Sequence, residues 1–209
     1  PLYSSAASDV YKRQAHKEGL RVAAHVEGSE GVKIAIENGV DTIEHGAPVD
    51  DSTLLMLKNE NKAYVATFSP AIPLSFLDPI SLGYSADVSY NSKVLLDGMV
   101  ELTNKCLANK IIVGLGTDTG CPLVTHYDMW RELCYFKKYA NVTNKYAIHT
   151  ATLINAKIAG VSKETGSISI GKSADLLIID QNPLDNLEAL RNPELVIYKG
   201  KIIKGHNKK

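Results

Sequence analysis

His25, His45 and Asp118 each close a short apolar run: Leu20-Arg21-Val22-Ala23-Ala24-His25, Asp41-Thr42-Ile43-Glu44-His45, and Ile111-Ile112-Val113-Gly114-Leu115-Gly116-Thr117-Asp118. Neutral imidazoles and a carboxylate are good ligands for Zn²⁺ or a similar first-row ion. Such an ion lowers the pKa of bound water toward about 7 and polarises a substrate carbonyl. A carboxylate beside that water can take its proton and deliver it to a leaving nitrogen. The chemistry these residues point to is hydrolysis by activated water, with His25, His45 and Asp118 as ligands and Asp118 as the base. Taken singly, a histidine closing a strand is an ordinary structural residue, and an aspartate at such a position is often a helix N-cap. The recurrence at three separate strand ends is what carries weight.

Elements that could position such a trio follow from periodicity. Strands are expected to end at His25 and His45 and to run over 63–68 and 111–117. Between them the pattern predicts a helix over 31–38 with Val32, Ala35 and Ile36 on one face, Ser29 as N-cap and Gly39 just past its end. A helix capped by Asp51 or Ser52 carries Leu54, Leu55 and Leu57. Residues 69–91 hold Pro70, Pro73, Pro79 and Gly83 and read as a long loop that shapes a pocket. Ser92 opens a helix with Leu95, Met99, Leu102 and Cys106 in a stripe, and two further helical stretches lie around 128–139 and 144–160. From Thr165 onward, glycine-punctuated strands over 167–170, 174–180 and 195–204 form a separate small β element, with a boundary near 160.

Four βα units in about 145 residues, about 36 each, match the unit length of an eight-unit barrel of about 250 residues, whose active site lies at the C-terminal strand ends. Four parallel strands do not close such a barrel. The expected fold is therefore α/β, half of a TIM-type (β/α)8 barrel with about four βα units. A doubly wound open sheet is the competing architecture, but no GxGxxG opens the first βα turn.

Composition narrows the partners. The 209 residues carry 23 basic and 23 acidic side chains, so charge offers no attraction to nucleic acid or an anionic membrane. No apolar stretch approaches the roughly 20 residues of a membrane span. Three cysteines without CxxC spacing argue against a structural zinc cluster and fit a reducing cytoplasm. Residues 1–14 lack a clear helical or strand period. The string Ser4-Ser5-Ala6-Ala7-Ser8-Asp9-Val10-Tyr11-Lys12-Arg13-Gln14 resembles translated sequencing-adapter DNA, and the segment is set aside as non-native.

Ala23-Ala24-His25-Val26-Glu27-Gly28, followed by Gly39-Val40-Asp41-Thr42-Ile43-Glu44-His45-Gly46, resembles the fifth and sixth strands of the amidohydrolase superfamily, with its imidazolonepropionase-like and Xaa-Pro dipeptidase-like branch nearest. Gly116-Thr117-Asp118 resembles that superfamily's eighth-strand aspartate, and Thr150-Ala151-Thr152-Leu153-Ile154-Asn155-Ala156 the helix that follows. Gly166-Ser167-Ile168 with Gly171-Lys172-Ser173-Ala174-Asp175-Leu176 resembles strands that complete a C-terminal β-sandwich. The resemblance extends from Ala15 to Ile203 and implies the C-terminal half of such an enzyme: a partial hydrolase barrel over 15–160 and β-sandwich strands over 161–209. It implies cleavage of a C–N bond in a small amide, cyclic amide or dipeptide, a divalent metal, zinc foremost, and a small-molecule substrate. His25 and His45 match the two strand-end ligands, Asp118 the metal-binding proton shuttle, and His126 a histidine near substrate.

Two departures qualify this. Glu27 stands where a second histidine is common, and no His-x-His, the first-strand pair of the superfamily, occurs anywhere in the 209 residues. A bridging lysine cannot be assigned either. The rival reading is accordingly a catalytically inactive half-barrel, and a third is a metal-free α/β binding domain. Glu44, alternating with His45, is expected on the opposite strand face in a polar contact with a helix. An exposed barrel edge predicts self-association into homo-oligomers or aggregates.

Overall fold

The computed structural model describes residues 5–205, and the chain divides into two compact units between Val124 and Thr125. The first unit begins with α1 (Ser5–Lys17), whereas no helical period was expected before Ala15. Its ten apolar-poor residues from Ser8 to Lys17 lack a stripe to read, yet Ala, Lys, Arg and Gln are good helix formers. Four strands follow: β1 (Ala23–Val26), β2 (Thr42–His45), β3 (Ala63–Ala66) and β4 (Val113–Leu115), hydrogen-bonded in the order β1-β2-β3-β4 and all parallel. This is the expected half of a barrel sheet, with each strand shorter than the apolar run that announced it.

The register explains the core. Ala24, Ile43, Tyr64 and Val113 stand in one row across the sheet, and Ile43 and Tyr64 are fully buried. Helices α2 (Ser29–Glu37), α3 (Asp51–Asn59) and α5 (Ala86–Ala108) connect the strands, and α5 packs on β3 and β4. Its buried stripe runs Leu96, Met99, Leu102, Thr103 and Cys106, so Leu95 sits at the margin rather than in the seam. Burial pushes the Cys106 thiol up to about 12, which makes it an inert core residue.

Two expected caps move by one residue or more. Gly28, not Ser29, precedes α2, because the Ser29 hydroxyl donates to the Pro48 carbonyl instead. Asp50, not Asp51 or Ser52, caps α3, accepting the Thr53 N–H at 2.7 Å. The larger correction concerns residues 69–91. They form most of α4 (Phe68–Phe76), a 3₁₀ turn over Ile80–Leu82 and the start of α5, not an open loop. Pro70 lies in the first turn of α4, where its missing N–H has no intrahelical partner to lose, while Pro73 forfeits one bond inside the helix. Burial of Phe68, Ala71 and Ile72 offsets that loss.

The second unit holds α6 (Met129–Ala140), α7 (Asn144–His149), a π-helical stretch over Thr150–Ile154 and α8 (Asn155–Ile158). Leu133, Phe136, Ala140, Ala147 and Ala156 are buried in it. Among the described residues it contains one antiparallel sheet of three strands, β5 (Leu176–Ile178), β6 (Leu195–Tyr198) and β7 (Lys201–Gly205). The single strand expected over 195–204 is a hairpin. Lys199 and Gly200 both adopt left-handed backbone (φ 49° and 76°), the requirement of a two-residue turn between twisted strands. Residues 167–170 form no strand. Ile168 is 91% exposed, and the loop is tied instead by Lys172 Nζ, which donates to the Ser162 and Thr165 carbonyls and to Ser167 Oγ. No described helix is long and apolar enough to cross a membrane.

Candidate metal and catalytic site

In the parallel register His25 stands opposite Glu44, and Val26 opposite His45. Regular alternation would send the two imidazoles to opposite faces of the sheet. The structure nevertheless brings their rings to 4.7 Å between centroids, edge to face at 70°. The cause lies at the end of β2, where His45 (φ 65°) and Gly46 (φ 76°) are consecutive left-handed residues that turn the chain. A non-glycine residue in this region costs about 1–2 kcal/mol, so the surroundings must hold it. Gly46 N–H is shared between the Val26 and Glu44 carbonyls, both at 2.8 Å, and the Tyr64 hydroxyl donates to the His45 carbonyl at 2.7 Å. A side chain at position 46 has no room: a Cβ there would lie 2.5 Å from Leu102 Cδ2 and 2.8 Å from Tyr64 Cε2.

His45 itself is 8% exposed, with Nδ1 at 2.6 Å from Thr67 Oγ1. Burial, the largest influence, holds its pKa below the ordinary 6.5; Asp118 works against this, His25 adds to it, and Glu27 opposes it. The unfolded chain therefore takes up this proton first. Stability contributed by neutral His45 is fully present above pH 6.5 and is lost as pH falls from there through the folded value. Thermal melts should show a midpoint that drops on the acid side of neutrality, and His45→Asn should flatten that drop. An equally steep fall in the variant would assign it to other groups.

Asp118 lies three residues beyond β4, also left-handed (φ 50°), in a loop braced by a 2.6 Å contact between the Thr117 and Thr119 hydroxyls. Cys121 Sγ donates to Asp118 Oδ2 at 3.3 Å. Burial first, then that hydrogen bond and the charges of Asp118 and Glu27, push the Cys121 thiol up. Glu44 corrects its expected place. Its register neighbours are His25 and Val65, so it shares the His25 face and not the Ile43–Tyr64 face that packs on helices. Thr42 Oγ1 donates to Glu44 Oε1 at 2.5 Å; burial raises the carboxyl pKa despite that bond, and the Asp118 charge raises it further.

His25, His45, Glu44 and Asp118 thus belong to one electrostatic neighbourhood, with Glu27 and Cys121 at its margin. The paired imidazoles suit two ligand positions of one divalent ion. Among the described residues no group of three or more His, Cys, Asp or Glu side chains is arranged to hold a metal. The remaining positions are therefore not closed by these residues alone. His126 lies in an exposed turn of the second unit. His16 pairs with Asp41 at 2.8 Å and His149 ends α7, both as ordinary helix residues, and His206 is outside the described residues. Sequence reasoning missed Thr67 and the true side of Glu44. Alternation along β2 holds at Glu44 and fails at left-handed His45, so placing Glu44 by opposition to His45 gave the wrong face, and nothing in the sequence around Thr67 marks it.

The amidohydrolase family profile matches residues 4–203. A protein of Bifidobacterium longum described as a candidate prolidase superposes with a TM-score of 0.92 at 39% identity, over 96% of this chain and 51% of that one. A Xaa-Pro dipeptidase with methionine bound in its active site gives 0.86 at 28%, over 98% and 50%. Ochratoxinase from Aspergillus niger is 28% identical over an alignment of 203 positions that covers 94% of this chain and 40% of the enzyme. The chain thus spans about half the length of the relatives it matches. With its four parallel strands matching half of their barrels, this chain belongs to the amidohydrolase family.

Proposed function

We propose that the protein carrying this segment hydrolyses a C–N bond in a small amide, cyclic amide or dipeptide, with a divalent ion, zinc foremost, held in part by His25 and His45. The observation that carries the proposal is the convergence of the two imidazoles from adjacent parallel strand ends, bought with left-handed backbone at His45. Strained backbone of this kind clusters at functional sites. The likeness to a candidate prolidase and a Xaa-Pro dipeptidase supports a dipeptide as the substrate class, and the likeness to ochratoxinase supports an amide.

When bound, the ion supplies positive charge that polarises the scissile carbonyl and eases the ionisation of water. The chain's own residues do the rest. His25 and His45 supply neutral nitrogen lone pairs, and burial keeps the His45 ring neutral. Asp118 takes a proton from the attacking water and returns it to the departing nitrogen, while its Oδ2 is oriented by the Cys121 thiol. His126 is assigned a substrate contact, and β5–β7 one layer of a β-sandwich, on the family resemblance alone.

The test uses a full-length protein containing this segment and the 209-residue chain side by side. Full-length protein should contain stoichiometric zinc or a similar ion, lose most of it in His45→Asn, and hydrolyse Xaa-Pro dipeptides or related amides. Metal-loaded protein with no amidase or peptidase turnover would sink the proposal. A second reading, a catalytically inactive half-barrel, is favoured for the 209-residue chain by itself. It contains no His-x-His, the first-strand pair that the family resemblance implies. That chain should show negligible turnover.

A further inference from the structure

Thr67 stands at the N-cap position of α4, where a threonine hydroxyl ordinarily accepts a bond from a helix N–H. Here its side chain makes no capping bond. The hydroxyl is spent elsewhere, at 2.6 Å from His45 Nδ1 and 3.8 Å from Met99 Sδ, in surroundings that leave Thr67 4% exposed. A hydroxyl has one proton to give and lone pairs to receive with, so two arrangements satisfy this chain of atoms. Thr67 can donate to Nδ1, in which case the neutral ring carries its proton on Nε2. Alternatively, Nδ1–H donates to Thr67 Oγ1, and the Thr67 O–H donates to the Met99 sulfur, a weak acceptor. The second arrangement uses all three groups and leaves the Nε2 lone pair bare on the ring that meets His25 edge to face.

We propose that Thr67, with Met99 as the acceptor of its proton, is a positioning residue that holds His45 in the Nδ1–H tautomer and so presents Nε2 as the ring's free lone pair. The tautomer follows from β3, α4 and α5 together: β3 leads into Thr67, and α5 supplies Met99 from the turn that also packs beside Tyr64. A buried metal-binding histidine characteristically engages its second nitrogen in such a bond, and losing the partner costs about 10–100-fold in metal affinity. The consequence for metal rests on the proposed ligand role of His45, but the tautomer does not.

The test is ¹⁵N NMR of the histidine rings in the metal-free 209-residue chain, well above the ordinary histidine pKa. His45 should show a protonated-type Nδ1 and an unprotonated-type Nε2. Thr67→Val, which keeps the shape, should shift the population to the Nε2–H form, and Thr67→Ser should restore it. Met99→Leu keeps core volume and removes the sulfur. It should also move His45 toward Nε2–H, because Thr67 then has only Nδ1 to donate to, and it keeps the test open if Thr67→Val folds poorly. A wild-type His45 carrying its proton on Nε2, or a tautomer indifferent to both substitutions, overturns the proposal. Zn²⁺ titration of full-length protein carrying the same substitutions separates the two ideas: affinity about 10–100-fold weaker in Thr67→Val supports both. An intact Nδ1–H tautomer together with a full-length protein that takes up no zinc counts against His45 as a ligand while upholding the role of Thr67.

Discussion

Asp118→Asn is expected to lower kcat of the full-length protein by about 10²- to 10⁴-fold, the usual contribution of a positioned proton-transfer group, with KM changed little. The substitution suits the test because the fold tolerates it. Asp118 sits at φ 50°, a region that asparagine enters more readily than other non-glycine residues. Its neighbours, the Thr117–Thr119 hydroxyl pair and the Cys121 backbone N–H on the Asp118 carbonyl, do not depend on the carboxylate. The amide keeps an oxygen for the Cys121 thiol but cannot take a proton from water. A loss confined to KM, or a fall of less than tenfold in kcat, would remove Asp118 from the proton-transfer role. Unfolding midpoints close to wild type would confirm that the variant reports chemistry.

Gly46→Ala is expected to destabilise the chain by about 2–5 kcal/mol, combining about 1–2 for left-handed backbone with about 1–3 for overpacking. Both parts are visible. Gly46 has φ 76°, and an added Cβ would overlap Leu102 and Tyr64 at 2.5 and 2.8 Å. Gly83→Ala is the matched control, since Gly83 has φ 79° with nothing within 4 Å of its would-be Cβ and should cost only about 1–2 kcal/mol. Urea unfolding of the three proteins separates strain from crowding by difference. Equal losses at both positions would show that Tyr64 and Leu102 yield freely. Because Tyr64 also donates to the His45 carbonyl, crowding at position 46 should further disturb the His25–His45 contact.

The parts of the fold that were legible are those with a strong local signature. Runs such as Ala23-Ala24-His25 and Thr42-Ile43-Glu44-His45 are parallel strands, the second largely buried and the first, at the end of the sheet order, buried only at Val26, and their order and the half-barrel followed from spacing. The α4 helix was hidden because Pro70 and Pro73 carry the composition of a loop, and only burial of Phe68 and Ile72 reveals why the helix survives. The Lys199-Gly200 turn was missed although Lys199-Gly200-Lys201 interrupts the apolar run, because Lys-Gly is not among the strongest two-residue hairpin signals and a lysine in left-handed backbone is not read from its type. At the site, residue types identified His25, His45 and Asp118 as candidates. Strand-end placement pointed all three toward one shared pocket, but the means was not legible, since the left-handed bend that turns His45 toward His25 comes from tertiary restraint by Tyr64 and Gly46. Thr67 was invisible for the same reason, as its partner is remote in sequence.

The double left-handed bend also limits how this position could change over time. A replacement at position 45 is filtered by backbone shape before its side-chain chemistry is ever tried. Asparagine and aspartate pass that filter with modest cost, whereas valine, isoleucine and threonine fail it. An exchange of nitrogen for oxygen at this position is thus the accessible evolutionary step, and β-branched replacements are closed off by the chain's own geometry.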